Sequence, residues 1–167
     1  MIKILIEINS KKNYLFISIE DNGKGIEKEK LETIQSPFYT TKKERKKKVG
    51  LGLPLFKMNA ELTGGFFKID SEIGKGTKVE ALFTKDNIDR QPLGRLYDTI
   101  IALIFGHSNI EFIIKIANED KVFELNTLII KKELDGLSIT HPDVIRFIED
   151  YIKEGFNEIG LSTEMIY

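Results

Sequence analysis

The 167-residue sequence has no cysteine and no tryptophan, and only four prolines and two histidines. Without cysteine there is no disulfide, no thiolate metal site and no thiol chemistry, and a reducing cytoplasm is the natural setting. Charge of one sign is missing as well. Lys+Arg 25 against Asp+Glu 26 leaves a formal net charge of -1, so no global field draws the molecule to nucleic acid or to an acidic membrane. The longest apolar run, around Thr99 to Phe105, falls far short of the roughly 20 residues that span a bilayer. No basic start followed by an apolar run marks an export signal. These absences predict a cytoplasmic protein that binds neither nucleic acid nor membrane. What is present, 41% apolar and 31% charged residues, is the composition of a globular protein with a real core. The length suits one domain with at most a small unit packed on it.

Alternating apolar residues in KILIEI, directly after the start, and in Tyr14 to Glu20 (YLFISIE) predict a two-stranded hairpin around the polar turn NSKKN. Lys28 to Gln35 has helical spacing and stops before the Ser36-Pro37 breaker, and FYTTKKERKKKVGLGLP reads as a long loop. Pro54 to Thr63 suits an amphipathic helix ended by Gly64-Gly65, and FFKIDS and TKVEALF flank the turn EIGKG as a second hairpin. The polar connector Lys85 to Gly94 marks a boundary between a first unit, residues 1–86, and a second, residues 87–167. In the second, Arg95 to Phe105 reads as a helix, Ile110 to Ala117 and Lys121 to Leu125 as strands around NEDK, and Leu128 to Leu134 as a short helix. A longer helix is expected from Thr140, with that threonine as cap, Pro142 in the first turn and Asp143 completing the box.

Three segments carry chemistry. In Asp21-Asn22-Gly23-Lys24-Gly25 a carboxylate at a strand end is followed by two alternating glycines. The strand fixes an acceptor for an amino group such as that of adenine, and the glycines let the backbone approach a flat ring. Alone, D-x-G-x-G is as readily a plain turn. Gly50-Leu51-Gly52-Leu53 opens a helix, where exposed N–H groups and the helix dipole favour phosphate; a hinge leading into a helix is the alternative. Ser36 to Lys42 (SPFYTTK) sets an aromatic residue, hydroxyls and a lysine before those glycines, or simply plugs a loop. The basic run Lys42 to Lys48 (KKERKKK) reads as a solvated loop, since the wider basic surface of a nucleic-acid binder is missing.

In combination, EDNGKGI, SPFYTTK, GLGLPL and GKGTKVEALF resemble the G1 box, F box, G2 box and final threonine-bearing hairpin of the GHKL ATPases, above all the ATP-binding domains of histidine kinases. The resemblance covers residues 1 to 84. It implies an α+β fold, a two-layer α/β sandwich of the GHKL (Bergerat) type, here with a small C-terminal αββαα appendage. It further implies that ATP/ADP is the ligand, with Asp21 on the adenine amino group, Gly23, Gly25 and Ile26 lining the base, and Thr77 supporting the contact through water. Phe38, Thr40, Thr41, Lys42, Gly50, Leu51, Gly52 and Leu53 belong by the same resemblance to a lid over the phosphates.

One departure stands against these matches. The family carries an Asn for Mg2+ on a helix before the first hairpin, and no such helix precedes Met1-Ile2-Lys3. Asn59 falls in a different helix, and Asn157 would reach the groove only if the last helix refolded. The expectation is therefore an incomplete chain, by a missed upstream start in preference to a helix supplied by another chain or a second unit folded back. Such a chain binds ATP weakly and is inactive, with Mg2+ held only in the complete protein. No residue is assigned to catalysis or to metal. His107, at a helix end, and His141, in a first turn, lack the acidic helical setting of a phosphoacceptor. The stretch IDRQPLGRLYDTIIALIFG, a hairpin and THPDVIRFIEDYIKEG resemble the tail of small stand-alone bacterial ATP-binding proteins related to histidine kinases, which implies a protein partner. Two functions are expected from this: a histidine kinase-like or ATPase activity of the complete protein, or a non-catalytic nucleotide-sensing module docked on its partner.

Overall fold

The computed structural model describes residues 1–31, 33–35 and 51–164. Strands β1 (Ile2–Asn9) and β2 (Tyr14–Asp21) form the first hairpin. A single helical turn, α1 (Lys28–Leu31), follows, then a 3-10 turn at Thr33–Gln35, in place of the one continuous helix expected there. Helix α2 (Gly52–Leu62) leads into the second hairpin, β3 (Phe66–Glu72) and β4 (Gly76–Thr84). The αββαα order expected beyond residue 87 is present as α3 (Leu96–Gly106), β5 (Phe112–Asn118), β6 (Lys121–Asn126), α4 (Thr127–Glu133) and α5 (Pro142–Glu158).

All six strands belong to one sheet, in the order β3-β4-β2-β1-β5-β6. Its joint is parallel: β5 lies along β1 from Ile2 opposite Phe112 to Ile8 opposite Asn118. The segment after residue 87 thus prolongs the first sheet.

Because side chains alternate across a strand, the registers sort the residues into two faces. Ile6, Ile17 and Ala81 share a row, as do Ile8, Leu15 and Phe83, and Ile114 and Ile116 continue the same face on β5. These side chains form one cluster with Leu96, Ile100 and Ile104 of α3 and Val144, Ile148, Ile152 and Phe156 of α5. Phe56 of α2 packs on the same face nearer β3, its ring 6.1 Å from Phe67 and 5.5 Å from Phe83. The opposite face carries the cross-strand pairs Lys3–Glu20 and Lys115–Glu124 and, along β4, the pair Lys78–Glu80, so the architecture is a helix layer on one side of an amphipathic sheet. Each exposed pair is worth well under about 1 kcal/mol. The apolar face makes the stability.

Helix α5 is set by its termini. His141, extended at φ -64 and ψ 137, is the residue that caps it, its Nδ1 accepting from the Asp143 N–H. Thr140 was expected in that role, but its hydroxyl lies 2.7 Å from Ser138 Oγ in a preceding turn. Pro142 is the first helical residue, where its missing N–H costs nothing. Across the sheet α5 sits so close that a methyl group on Gly155 would overlap the Phe123 ring.

Candidate functional site

The covered face is sealed at one end of the hairpins and open at the other. Leu15, Ile17, Ala81 and Phe83 are at most 7% exposed. One row further along β2, Ile19 is 39% exposed, beside its half-buried row partners Ile4 and Val79. The next row is polar: Asp21 lies opposite Ile2 on one side and Thr77 on the other, and Thr77 lies opposite Ser71. An apolar floor therefore ends at a row of a carboxylate and two hydroxyls.

Asp21 is oriented by the turn that follows it. The Gly23 N–H donates to Asp21 Oδ1 at 2.7 Å, a local Asx bond that uses one carboxylate oxygen and fixes the ring of the turn. Among the described residues no donor lies on Oδ2. The turn is clamped to the second hairpin: the Gly74 N–H donates to the Lys24 carbonyl at 2.9 Å and the Ile26 N–H to Ser71 Oγ at 2.8 Å. Two glycines make this approach possible. Gly25 has φ +69, and a methyl on it would overlap the Glu72 carbonyl oxygen; Gly76 has φ +118, and a methyl there would overlap the Asp21 carbonyl oxygen. Both conformations also strain any other residue.

The other expected site residues lie at the start of α2. Leu51 is 49% exposed and makes no side-chain bond to the helix end, so among the described residues the first N–H groups of this 11-residue helix have no side-chain cap. Among the described residues a Cβ on Gly52 would have nothing within 4 Å, and a helix N-terminus favours an anion. Leu53 is half-buried. Phe38, Thr40, Thr41, Lys42 and Gly50 lie outside the described residues.

The structure thus brings Asp21, Gly23, Gly25, Ile26 and Thr77 to one end of the sheet and sets Leu51, Gly52 and Leu53 at a helix N-terminus. It adds Ser71, which sequence reading passed over as one more strand residue. Ser71 Oγ contacts Ile26 N, the Gly76 carbonyl at 2.9 Å and Thr77 Oγ1 at 2.9 Å. Pairing FFKIDS with TKVEALF around its turn would have put Ser71 opposite Thr77 and supplied the signal.

A planar heterocycle with an amino group fits this geometry: a flat apolar floor, backbone within van der Waals reach, and a free carboxylate oxygen at the edge. Among the described residues no three His, Asp or Glu side chains converge on one point.

Known proteins resemble the first half of the chain. The family model described as "Histidine kinase-, DNA gyrase B-, and HSP90-like ATPase" matches residues 1–87. Sensor kinase CckA of Brucella abortus (strain 2308) is 48% identical over 65 residues, which cover 39% of this chain and 7% of that protein. Sporulation kinase C of Bacillus subtilis (strain 168) is 43% identical over 65 residues, 39% of this chain and 14% of the kinase. Sensor histidine kinase WalK of the same organism is 38% identical over 77 residues, 44% of this chain and 13% of the kinase. The matched region is thus a small part of these relatives. Among solved structures, the catalytic domain of histidine kinase ThkA aligns with a TM-score of 0.38 and 28% identity, covering 53% of this chain and 57% of that one.

Proposed function

Because this chain belongs to the histidine kinase-, DNA gyrase B- and HSP90-like ATPases, we propose that its ATP-binding domain seats adenine on the floor of Ile4, Ile19 and Val79. The exocyclic amino group donates to Asp21 Oδ2. Gly23, Gly25 and Ile26 pass along the ring edge, and Thr77 backs the carboxylate from the next strand. The triphosphate runs toward Gly52 and Leu53, where the uncapped N–H groups of α2 favour negative charge. The observation that carries this reading is Asp21 Oδ2, on which no donor lies among the described residues, beside a partly exposed Ile19.

The residues divide the work. A hydrogen bond to a charged acceptor contributes about 1.5–3 kcal/mol, and covering the Ile19 row removes apolar surface from water at about 25 cal/mol per Å². Affinity thus comes from the base, and the helix terminus orients the phosphates. Bound Mg2+ would neutralise phosphate charge; among the described residues no three carboxylate or imidazole side chains converge to hold it.

For the whole protein the reaction is transfer of the ATP γ-phosphoryl to a protein partner or to water, which rests mainly on positioning and charge neutralisation. A second reading is a nucleotide sensor that changes its partner's state without chemistry. That role asks only for nucleotide binding by the described residues. Among these residues no helix is long and apolar enough to cross a membrane.

Thermal unfolding with increasing ATP tests the binding. At about 100 times its dissociation constant, a ligand of the native state adds about 2.7 kcal/mol, so the midpoint should climb steadily. An unmoved midpoint at millimolar ATP would contradict the reading. Labelled phosphate transfer with and without Mg2+ then separates the two functions: transfer or release supports the enzyme, and binding without either supports the sensor.

A further inference from the structure

Ser71, Thr77, Asp21 and Ile2 stand side by side in one row across four strands. The Ser71 hydroxyl has one proton and two lone pairs, and three partners claim them. The Ile26 N–H, at 2.8 Å, donates into one lone pair. The Gly76 carbonyl, at 2.9 Å, can only accept, so it takes the proton. Thr77 Oγ1, at 2.9 Å, then meets the remaining lone pair and must be the donor. The single proton of Thr77 is held by Ser71, and Thr77 turns lone pairs alone toward Asp21. Asp21 is itself an acceptor, with Oδ1 filled by the Gly23 N–H.

We propose that Ser71 is the positioning residue that makes this site select 6-aminopurine nucleotides over 6-oxopurine nucleotides. The proposal rests on the adenine reading above and deepens it. An exocyclic amino group carries two hydrogens, one for Asp21 Oδ2 and one for Thr77 Oγ1. A 6-oxo group meets Thr77 lone pair to lone pair. Asp21 by itself separates the two classes poorly, because an oxopurine still has an N1–H that a carboxylate accepts. The discrimination therefore lies with the direction of the Thr77 proton, and that direction is set by Ser71. A site whose buried polar groups are left unmatched rejects a ligand far more strongly than one that merely lacks a contact.

The probes are ATP and ITP, which differ at the 6-position and its N1 proton, titrated calorimetrically into the full chain. The wild type should prefer ATP on the order of 100-fold, the scale of one mismatched buried hydrogen bond. Ser71→Ala frees the Thr77 proton to turn toward a 6-oxo group, and the preference should shrink about tenfold, mainly by a gain in ITP affinity. Ser71→Thr keeps the hydroxyl and should restore the preference. Thr77→Val removes the acceptor and should weaken ATP about tenfold while sparing ITP; it serves the same end if Ser71→Ala fails to fold. Equal losses for both nucleotides, with the preference intact, would make Ser71 a brace of the turn and overturn the proposal alone. A wild type that binds neither nucleotide would overturn the adenine reading and the proposal together.

Discussion

Replacing Gly76 by alanine puts the clamp between the first turn and the second hairpin under direct load. Gly76 has φ +118, and its added methyl would overlap the Asp21 carbonyl oxygen and come within 2.9 Å of Asn22 Cα. Both obstacles are backbone, so no side chain can rotate away. A non-glycine residue held in such a conformation costs about 1–3 kcal/mol, and overpacking adds about 1–3 kcal/mol more. Gly74, in the same turn, separates the two terms: it has φ +79 but, among the described residues, nothing within 4 Å of an added methyl, so alanine there costs only about 1–2 kcal/mol of left-handed strain. For a chain of this size each kcal/mol moves the midpoint by about 2–4 °C. Thermal unfolding followed by circular dichroism should show Gly76→Ala at least twice as damaging as Gly74→Ala, and only Gly76→Ala should displace the Asp21 backbone and weaken ATP. Equal midpoints for the two variants would refute the packing of the turn against Asp21.

Gly155→Ala should destabilise by about 1–3 kcal/mol through overlap with the Phe123 ring, although helix propensity alone favours alanine by about 1 kcal/mol; chemical denaturation should show the sign reverse once Phe123→Ala opens the space. Burial, followed by the nearby charge of Glu149, raises the Tyr97 pKa above its usual value. A phenol whose folded pKa is raised keeps its proton in the native state while the unfolded state loses it, so stability should fall as pH rises through about 10 and beyond. Tyr97→Phe should remove that part of the fall in denaturation curves taken from pH 8 to 11; an identical slope in the variant would contradict the assignment.

The hairpins and their turns were legible in the sequence because period-two alternation and glycine turns are local signals. KILIEI and YLFISIE became β1 and β2, and FFKIDS and TKVEALF became β3 and β4. The parallel pairing of β1 with β5 left no such trace, since it joins Ile2 to Phe112 across the length of the chain. The α5 cap was misplaced by one residue: a threonine before Pro142 is the better cap by propensity, but Ser138 had already engaged it. In the site, Asp21 and the glycines were visible as residue types, whereas Ser71 acquires meaning only from the register that sets it against Thr77. Of the expected lid residues, Leu51, Gly52 and Leu53 are described at the start of α2, and Phe38, Thr40, Thr41, Lys42 and Gly50 fall outside the described region.

Asp21→Asn is the sharpest single change at the site, because the amide oxygen can still accept from the Gly23 N–H and the fold should hold within about 0.5 kcal/mol. On the adenine side the replacement removes the charge and presents an NH2 group to another NH2 group. Calorimetric titration of ATP into wild type and Asp21→Asn should show saturable binding to the first and a loss of at least about tenfold in the second, the weight of a charge-assisted hydrogen bond. Equal affinity of the two proteins for ATP would contradict the claim that this carboxylate, at the edge of the open apolar floor, is where the base is read.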